Sequence, residues 1–207
     1  MSDKPLLLIS GLHRKHRDRV RDFALRLGAP LYAEPLSGLR EDPQLEPLRL
    51  NNERMLARGG FTRVIRVGHV PTLRFWRDLD ESRGALPVVS FSRLPFPGLC
   101  RGDVWPIDAL RSLRLDPRRR DQAFFDLDRA NHDALERILD EEPHSELALI
   151  RKLSRELPDK SRVYLGNSLP VREWDLAATR ADRGFTIEAN RGANGIDGQL
   201  STFFGGC

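Results

Sequence analysis

Two stretches near the end of the sequence carry residues that could bind an anion. The first, GNSLPVREWD, begins at Gly166 and contains Arg172, and the second, NRGANGIDGQLSTFFGG, begins at Asn190 and contains Arg191. Each follows a short apolar segment that predicts a strand and precedes a segment with helical spacing. A helix N-terminus favours anions, and a guanidinium group can bind a carboxylate or phosphate through two hydrogen bonds. We therefore expect the two stretches to form one receptor for such a group.

The glycines of the second stretch admit two explanations. Gly192, Gly195 and Gly198 would let a ligand approach the backbone and would permit positive φ angles. Alternatively, both stretches are ordinary strand-to-helix loops in which asparagine and glycine serve turns and caps. The residue types alone leave both interpretations open.

The segments that must position these loops alternate between strands and helices. Short apolar runs such as PLLLIS, FTRVIRVG and LPVVSFS predict strands, and GDVWPID predicts a fifth, short one. Segments with helical spacing lie between several of them. This order predicts an α/β fold over residues 4–115, built as a three-layer, doubly wound and mainly parallel sheet.

The rest of the sequence predicts two further regions. Two amphipathic segments indicate a helical connector over residues 116–158, with Ser145 as the N-cap of its second helix. In residues 159–207 the strand–helix alternation resumes and predicts the first βαβ unit of a second α/β domain. Two parallel strands cannot bury both faces of their sheet alone, so we expect this region to be the truncated start of that domain.

The composition argues against several other classes of protein. The chain has 207 residues and a net charge of +4, and its basic residues are interspersed with acids. This pattern does not predict nucleic-acid binding. Cys100 and Cys207 form neither a disulfide framework nor a zinc motif. No apolar run approaches the roughly 20 residues of a membrane span, and no signal peptide is recognisable, so we expect a cytoplasmic location.

The two stretches, in this order and at this separation, closely resemble one enzyme family. This is the family of 2-succinyl-5-enolpyruvyl-6-hydroxy-3-cyclohexene-1-carboxylate synthases, thiamine-diphosphate enzymes of menaquinone biosynthesis. The resemblance is strongest over residues 160–206, and LRLGAPLYAEPLSGLRED and VIRVGHVPTLRFW resemble the family's middle domain more weakly. It implies that the chain comprises the middle domain and the start of the diphosphate-binding domain. The domain with the family's catalytic glutamate would be missing.

The resemblance also implies which residues contact the substrates. Ser168 and Arg172 would contact the succinyl carboxylate or the cofactor-bound intermediate, and Arg191 would contact a substrate carboxylate. In the middle domain, Arg74 is the best candidate at a position where the family often has a lysine. An exposed helical arginine is an equally good explanation of Arg74.

A second group of residues would surround the cofactor in the family's site. Asn167, Asn190 and Gly192 would shape the loops, and Ile196 would line the neighbourhood of the cofactor. We expect no catalytic residue and no metal ligand in this chain. Thiamine diphosphate and Mg²⁺ or Mn²⁺ would belong to the complete enzyme, and we expect none bound to this chain alone.

The implied reaction decarboxylates 2-oxoglutarate and adds the resulting succinyl semialdehyde carbanion to isochorismate. Both substrates are carboxylates, which fits a site lined by arginine. The resemblance implies a homo-oligomer, dimer or tetramer, for the complete enzyme and an inactive chain in isolation. Two alternatives stay open: another thiamine-diphosphate-dependent 2-keto acid decarboxylase, and a non-catalytic α/β binding or scaffold module.

Overall fold

The computed structural model describes residues 3–81, 86–99, 102–113, 121–190 and 197–206. Arg191, Gly192 and Ile196, for which the sequence predicts site roles, lie outside the described residues. The strands and helices, in chain order, are β1 (Pro5–Ile9), α1 (Arg17–Leu27), β2 (Leu31–Ala33), β3 (Arg63–Val67), α2 (Arg74–Glu81), β4 (Val88–Phe91), β5 (Val104–Trp105), α3 (Gln122–Glu141), α4 (Glu146–Glu156), β6 (Arg162–Tyr164), α5 (Leu169–Ala177), β7 (Thr186–Glu188) and α6 (Gln199–Gly205).

Strands β1 to β5 form the first sheet, in the order β2-β1-β3-β4-β5. All neighbouring strands in it are parallel, and Leu7 of β1 lies opposite Leu31 of β2 and Ile65 of β3. Helices cover both of its faces, so the predicted α/β fold with a mainly parallel sheet is confirmed. Because parallel strands need crossover connections, the helices that join them come to lie on the sheet.

The two faces of the first sheet bury alternate residues of the same strands. Leu7 and Ile9 pack on one face with Phe23 of α1, in a cluster that also includes residues of the short 3₁₀ helix Ile107–Arg111. Leu6 and Leu8 pack on the other face in a cluster that includes residues of α2 and the first turn of α3. Since successive side chains of a strand point to opposite faces, one continuous apolar run supplies both cores.

Helices α3 and α4 follow the first sheet, and they are joined by an apolar cluster and by the ion pairs of Arg151. The Arg151 guanidinium of α4 donates to the carbonyl oxygen of Glu136 at 3.1 Å and to the carboxylate of Asp140 at 2.6 Å. Ser145 caps α4, because its hydroxyl accepts a hydrogen bond from the backbone N–H of Ala148 at 3.3 Å. This cap was predicted from the sequence and is confirmed. Within the described residues, no helix has the length and apolar character needed to cross a bilayer.

Strands β6 and β7 form a second, parallel sheet, in which Val163 lies opposite Ile187. Its core is built around Trp174 of α5, which is 1% exposed, and it also includes Leu36 from the loop after β2 and Ile150 from α4. The predicted βαβ unit is therefore present, and it is not isolated from the rest of the chain. The boundaries at residues 4–115, 116–158 and 159–207 stay a prediction.

The first sheet and α5 are joined through the buried side chain of Arg40. One guanidinium nitrogen, Nη2, donates to the carbonyl oxygens of Trp174 at 3.0 Å, Asp175 at 2.9 Å and Ala178 at 3.0 Å, and Nη1 donates to that of Thr179 at 3.1 Å. The last carbonyls of a helix have no intrahelical partner and form the negative end of its dipole. Arg40 therefore supplies both the donors and the positive charge that the end of α5 needs.

Further polar contacts surround Arg40 at this junction. The Tyr32 hydroxyl donates to the Asp175 carboxylate at 2.6 Å, and the Arg180 guanidinium donates to the Asn51 carbonyl at 3.1 Å. Burial, followed by the charge of Asp175, raises the pKa of Tyr32 well above its usual value, so this hydroxyl keeps its proton. The junction is thus a buried network in which the donors come from both parts of the chain.

The Arg40 contact generates a stability prediction. We expect Arg40→Met to lower the free energy of unfolding by about 3–5 kcal/mol, because it leaves the buried Asp175 without its opposite charge and several buried carbonyls without their donor. Arg77→Met is the control, since the Arg77 side chain is 59% exposed and should change stability by less than about 0.5 kcal/mol. Urea denaturation followed by tryptophan fluorescence measures both. Equal effects would show that Arg40 does not hold the junction.

Candidate ligand-binding site

The two candidate loops lie at the same edge of the second sheet. The first follows β6 and leads into α5, and the second follows β7 and leads into α6. Because β6 and β7 are parallel, both loops leave from the carboxyl ends of their strands, where open α/β sheets bind ligands. The second loop is described only at its two ends, since residues 191–196 lie outside the description.

Helix α6 brings the two loops together through two side chains. The backbone N–H of Asn167 donates to Gln199 Oε1 at 3.2 Å, and Asn190 Nδ2 donates to Thr202 Oγ1 at 2.9 Å. A Cβ atom at Gly166 would lie 3.2 Å from Gln199 Oε1, so the glycine gives this side chain room to approach. The predicted cofactor-side residues Asn167 and Asn190 therefore lie at one edge of the sheet and both contact α6.

Ser168, immediately before α5, has a strained backbone. Its φ is 69° and its ψ is −107°, a combination that residues other than glycine rarely adopt. Such a conformation costs about 1–3 kcal/mol and occurs preferentially in ligand-binding and catalytic sites. The strain sets the direction in which the backbone and hydroxyl of Ser168 face at the start of the helix.

The Arg172 side chain folds back onto Ser168 one helical turn earlier. Its Nε donates to the Ser168 carbonyl oxygen at 3.0 Å, and its Nη2 donates to Ser168 Oγ at 3.0 Å. The guanidinium is thereby fixed beside the N-terminus of α5, where the helix dipole adds positive potential. The structure thus brings together two of the predicted substrate-binding residues, Ser168 and Arg172, into one cationic, hydrogen-bonding unit.

Arg172 also faces a small cleft between α5 and the first part of the chain. The cleft has a volume of about 170 Å³, and its other walls include Tyr32, Glu53 and Thr72. Glu53 Oε1 accepts a hydrogen bond from the backbone N–H of Phe75 at 2.9 Å, and burial raises the pKa of Glu53. The cleft can therefore hold a small polar group between the Arg172 guanidinium and the loops before α2.

These wall residues were not predicted from the sequence. Glu53 and Thr72 lie far from Arg172 along the chain, in a short 3₁₀ helix and a loop without a recognisable motif, and the docking of α5 brings Arg172 to them. The N-terminal capping of α2 by Glu53 is also a contact between residues 22 positions apart. Local spacing, which predicted the two loops, gives no signal for such a contact.

Arg74 is an exposed residue that pairs with a neighbour on its own helix. It is the first residue of α2, its side chain is 73% exposed, and its Nε lies 3.6 Å from Asp78 Oδ1. The described walls of the cleft include Leu73 and not Arg74. The predicted roles of Arg191, Gly192 and Ile196 fall on residues outside the description. Among the described residues, no group of three or more His, Cys, Asp or Glu side chains could hold a metal ion.

Comparison with known proteins gives the same family name for the most similar relatives. A 2-succinyl-5-enolpyruvyl-6-hydroxy-3-cyclohexene-1-carboxylate synthase of Bdellovibrio bacteriovorus is 37% identical over 98% of the chain. The synthase of Akkermansia muciniphila is 35% identical over 97%, and that of Listeria monocytogenes 27% identical over 98%. No protein-family model matches the chain.

The chain belongs to this synthase family. The match extends over nearly the whole chain, so it includes the first sheet, the connector and the loops around Ser168 and Arg172. The chain spans 40% of the length of the Bdellovibrio relative and 38% of that of the Akkermansia relative. The resemblance stated from the two loop stretches is thereby confirmed.

The strain at Ser168 generates a prediction with an internal control. Ser168→Gly and Ser168→Ala both remove the hydroxyl that contacts Arg172, but only glycine adopts a φ of 69° without a steric cost. We therefore expect the glycine variant to be more stable than the alanine variant by about 1–3 kcal/mol. Chemical denaturation of the two variants measures the difference. Equal stabilities would mean that the backbone at this position is relaxed.

Proposed function

We propose that the chain forms the middle portion and the start of the cofactor-binding domain of a 2-succinyl-5-enolpyruvyl-6-hydroxy-3-cyclohexene-1-carboxylate synthase. In the complete protein, this activity would decarboxylate 2-oxoglutarate and transfer the succinyl semialdehyde unit to isochorismate in menaquinone biosynthesis. The names of the relatives and their similarity over nearly the whole chain support the proposal. The chain itself would contribute substrate-binding loops and would have no activity in isolation.

The observation that carries this proposal is the unit formed by Ser168 and Arg172. A hydroxyl and a guanidinium are fixed together at a helix N-terminus, at the ligand-binding edge of a parallel sheet. Such an arrangement suits a carboxylate, because charge-assisted hydrogen bonds and the helix dipole act on the same group. 2-Oxoglutarate and isochorismate are both dicarboxylates, so each offers this unit a suitable anionic group.

The described residues fit a substrate carboxylate better than they fit the cofactor's metal ion. Thiamine diphosphate with Mg²⁺ or Mn²⁺ would supply the carbanion chemistry in the complete enzyme. Asn167 and Asn190, fixed by α6, would shape the loops beside it, with Gly192 and Ile196. Ligands for the metal and the diphosphate would come from outside the described residues.

The role of the chain in this reaction is therefore positioning. Arg172 would bind a carboxylate of the substrate, and Ser168 would orient both Arg172 and the substrate. Arg191 would bind a second carboxylate from the neighbouring loop, and Arg74 would act from the middle domain. A homo-oligomer is proposed for the complete enzyme.

Kinetics of the complete enzyme test the proposal. We expect Arg172→Ala to lower kcat/KM for 2-oxoglutarate by about 10- to 100-fold, because one charge-assisted contact with the substrate is lost. Arg172→Lys keeps the charge and should recover only part of the loss, since lysine lacks the planar fork. Arg77→Ala, on the exposed face of α2, is the control and should leave kcat/KM unchanged.

The substrates themselves separate this proposal from its alternatives. Product formation that requires both 2-oxoglutarate and isochorismate supports the synthase. Turnover of a 2-keto acid with no effect of isochorismate would assign a simple decarboxylase, and the absence of turnover would favour a binding module. Isothermal titration of the isolated chain with thiamine diphosphate and Mg²⁺ should show no binding in the micromolar range.

A further inference from the structure

A second and larger cavity lies at the other edge of the second sheet. Its volume is about 550 Å³, within the range of small-molecule sites, and its walls come from four separate segments. These are the first half of α1 with the short 3₁₀ helix before it, the loop after β2, Lys160 before β6, and the residues around the start of β7. Thr186, the first residue of β7, lines the cavity, whereas Asn190 follows the last residue of that strand. The cavity and the Ser168 loop thus lie at opposite edges of the β6–β7 sheet.

The walls of this cavity carry an excess of positive charge. Three acidic side chains line it, namely Glu41, Asp42 and Asp182. Five basic side chains line it, namely Arg14, Arg17, Arg21, Lys160 and Arg183. An excess of cations in a concave site concentrates anions there.

The acidic groups already have partners in the protein. Asp42 accepts hydrogen bonds from the Arg21 guanidinium and, at 2.9 Å, from the backbone N–H of Gln44. Glu41 pairs with the buried Arg40, and Asp182 accepts a hydrogen bond from the backbone N–H of Gly184 at 3.0 Å. The lining therefore keeps an excess of two positive charges over the three carboxylates, one of which, Glu41, also attracts Arg17.

Three of the cations are left without a carboxylate partner. Among the described residues, the side chains of Arg14, Arg17 and Lys160 form no ion pair. The Nε of Arg17 is inaccessible to solvent and has no hydrogen-bond partner. Burial, followed by the charge of Arg14, lowers the pKa of Arg17, and the charge of Glu41 opposes this in part. A buried donor without a partner is costly, so a bound anion would stabilise this arrangement.

The backbone has positive φ angles at residues that line the cavity, among them Gly38 and Lys160. Gly38 has a φ of 64°, and a Cβ atom there would overlap the Arg17 guanidinium. Lys160 has a φ of 64° although it is not a glycine, and its backbone N–H donates to the Arg183 carbonyl at 2.7 Å. Phe185 adds an apolar side chain to the lining. The Arg17 and Lys160 side chains thus reach one space from different segments.

We propose that this cavity binds a small anion that carries at least two negative charges, of the phosphate or carboxylate class. Arg17 and Lys160 would contact the anion from opposite sides, and Arg14 would add charge at the rim. A multivalent anion is favoured over a monovalent one because it can pair with guanidinium and ammonium groups of separate segments at once. Neither the similarity to the synthases nor the Ser168–Arg172 unit assigns a ligand to this place.

Isothermal titration of the purified protein tests the proposal with three probes. Inorganic pyrophosphate and citrate represent the two classes of multivalent anion, and acetate represents a monovalent one. We expect pyrophosphate, citrate or both to bind with one site per chain, and acetate to bind at least about tenfold more weakly. Binding of only one of the two multivalent probes assigns the class. If neither binds, the proposal is wrong.

Affinities of variants show whether the anion binds in this cavity. Arg17→Gln and Lys160→Gln should each weaken the binding of the multivalent anion about tenfold, since each removes one charge-assisted contact. Arg26→Gln is the matched control, because Arg26 is an exposed arginine in the last turn of α1 and does not line the cavity. Because Lys160 is exposed, Lys160→Gln should fold normally, and its affinity tests the proposal even if Arg17→Gln unfolds. Equal affinities for Lys160→Gln and Arg26→Gln would overturn the proposal.

Discussion

The buried guanidinium group of Arg40 is the interaction on which the arrangement of the two sheets depends. A charge that is removed from water must be compensated by partners, and here four backbone carbonyls at the end of α5 and the nearby Asp175 carboxylate provide them. The side chain has no exposed surface, so this contact cannot be replaced by solvent. The position of α5 beside the loop after β2 follows from it.

Helix α5 has different tasks at its two ends. Its C-terminal end is fixed by Arg40, while its N-terminal end begins at the strained Ser168 and carries Arg172. Because Trp174 in the middle of the helix is also buried in the second core, the helix has little freedom to shift and relax the strain. A rigid helix is therefore what allows an unfavourable backbone conformation to persist at the candidate site.

Much of the fold could be predicted from the sequence because its signals are local. Apolar runs, helical spacing and the cap at Ser145 predicted the parallel first sheet, the connector and the second βαβ unit. Arg40, Tyr32 and Asp175 gave no such signal, since Arg40 and Asp175 lie 135 positions apart and an isolated arginine in a loop predicts only a solvated side chain. Likewise, the loop stretches predicted Ser168 and Arg172 as neighbours, but the cleft beside them depends on how α5 docks, which no local pattern encodes.

The shared core around Trp174 has a consequence for how such chains can be recombined. Leu36 and Ile150 contribute to that core from the loop after β2 and from the connector. The core of the second sheet is therefore not formed by one continuous segment of the sequence. If the segment after residue 158 were exchanged for that of a distant homologue, Leu36 and Ile150 would have to pack against different side chains in this core. A stable chimera would therefore need to take the loop after β2, α4 and the segment after residue 158 from the same parent protein.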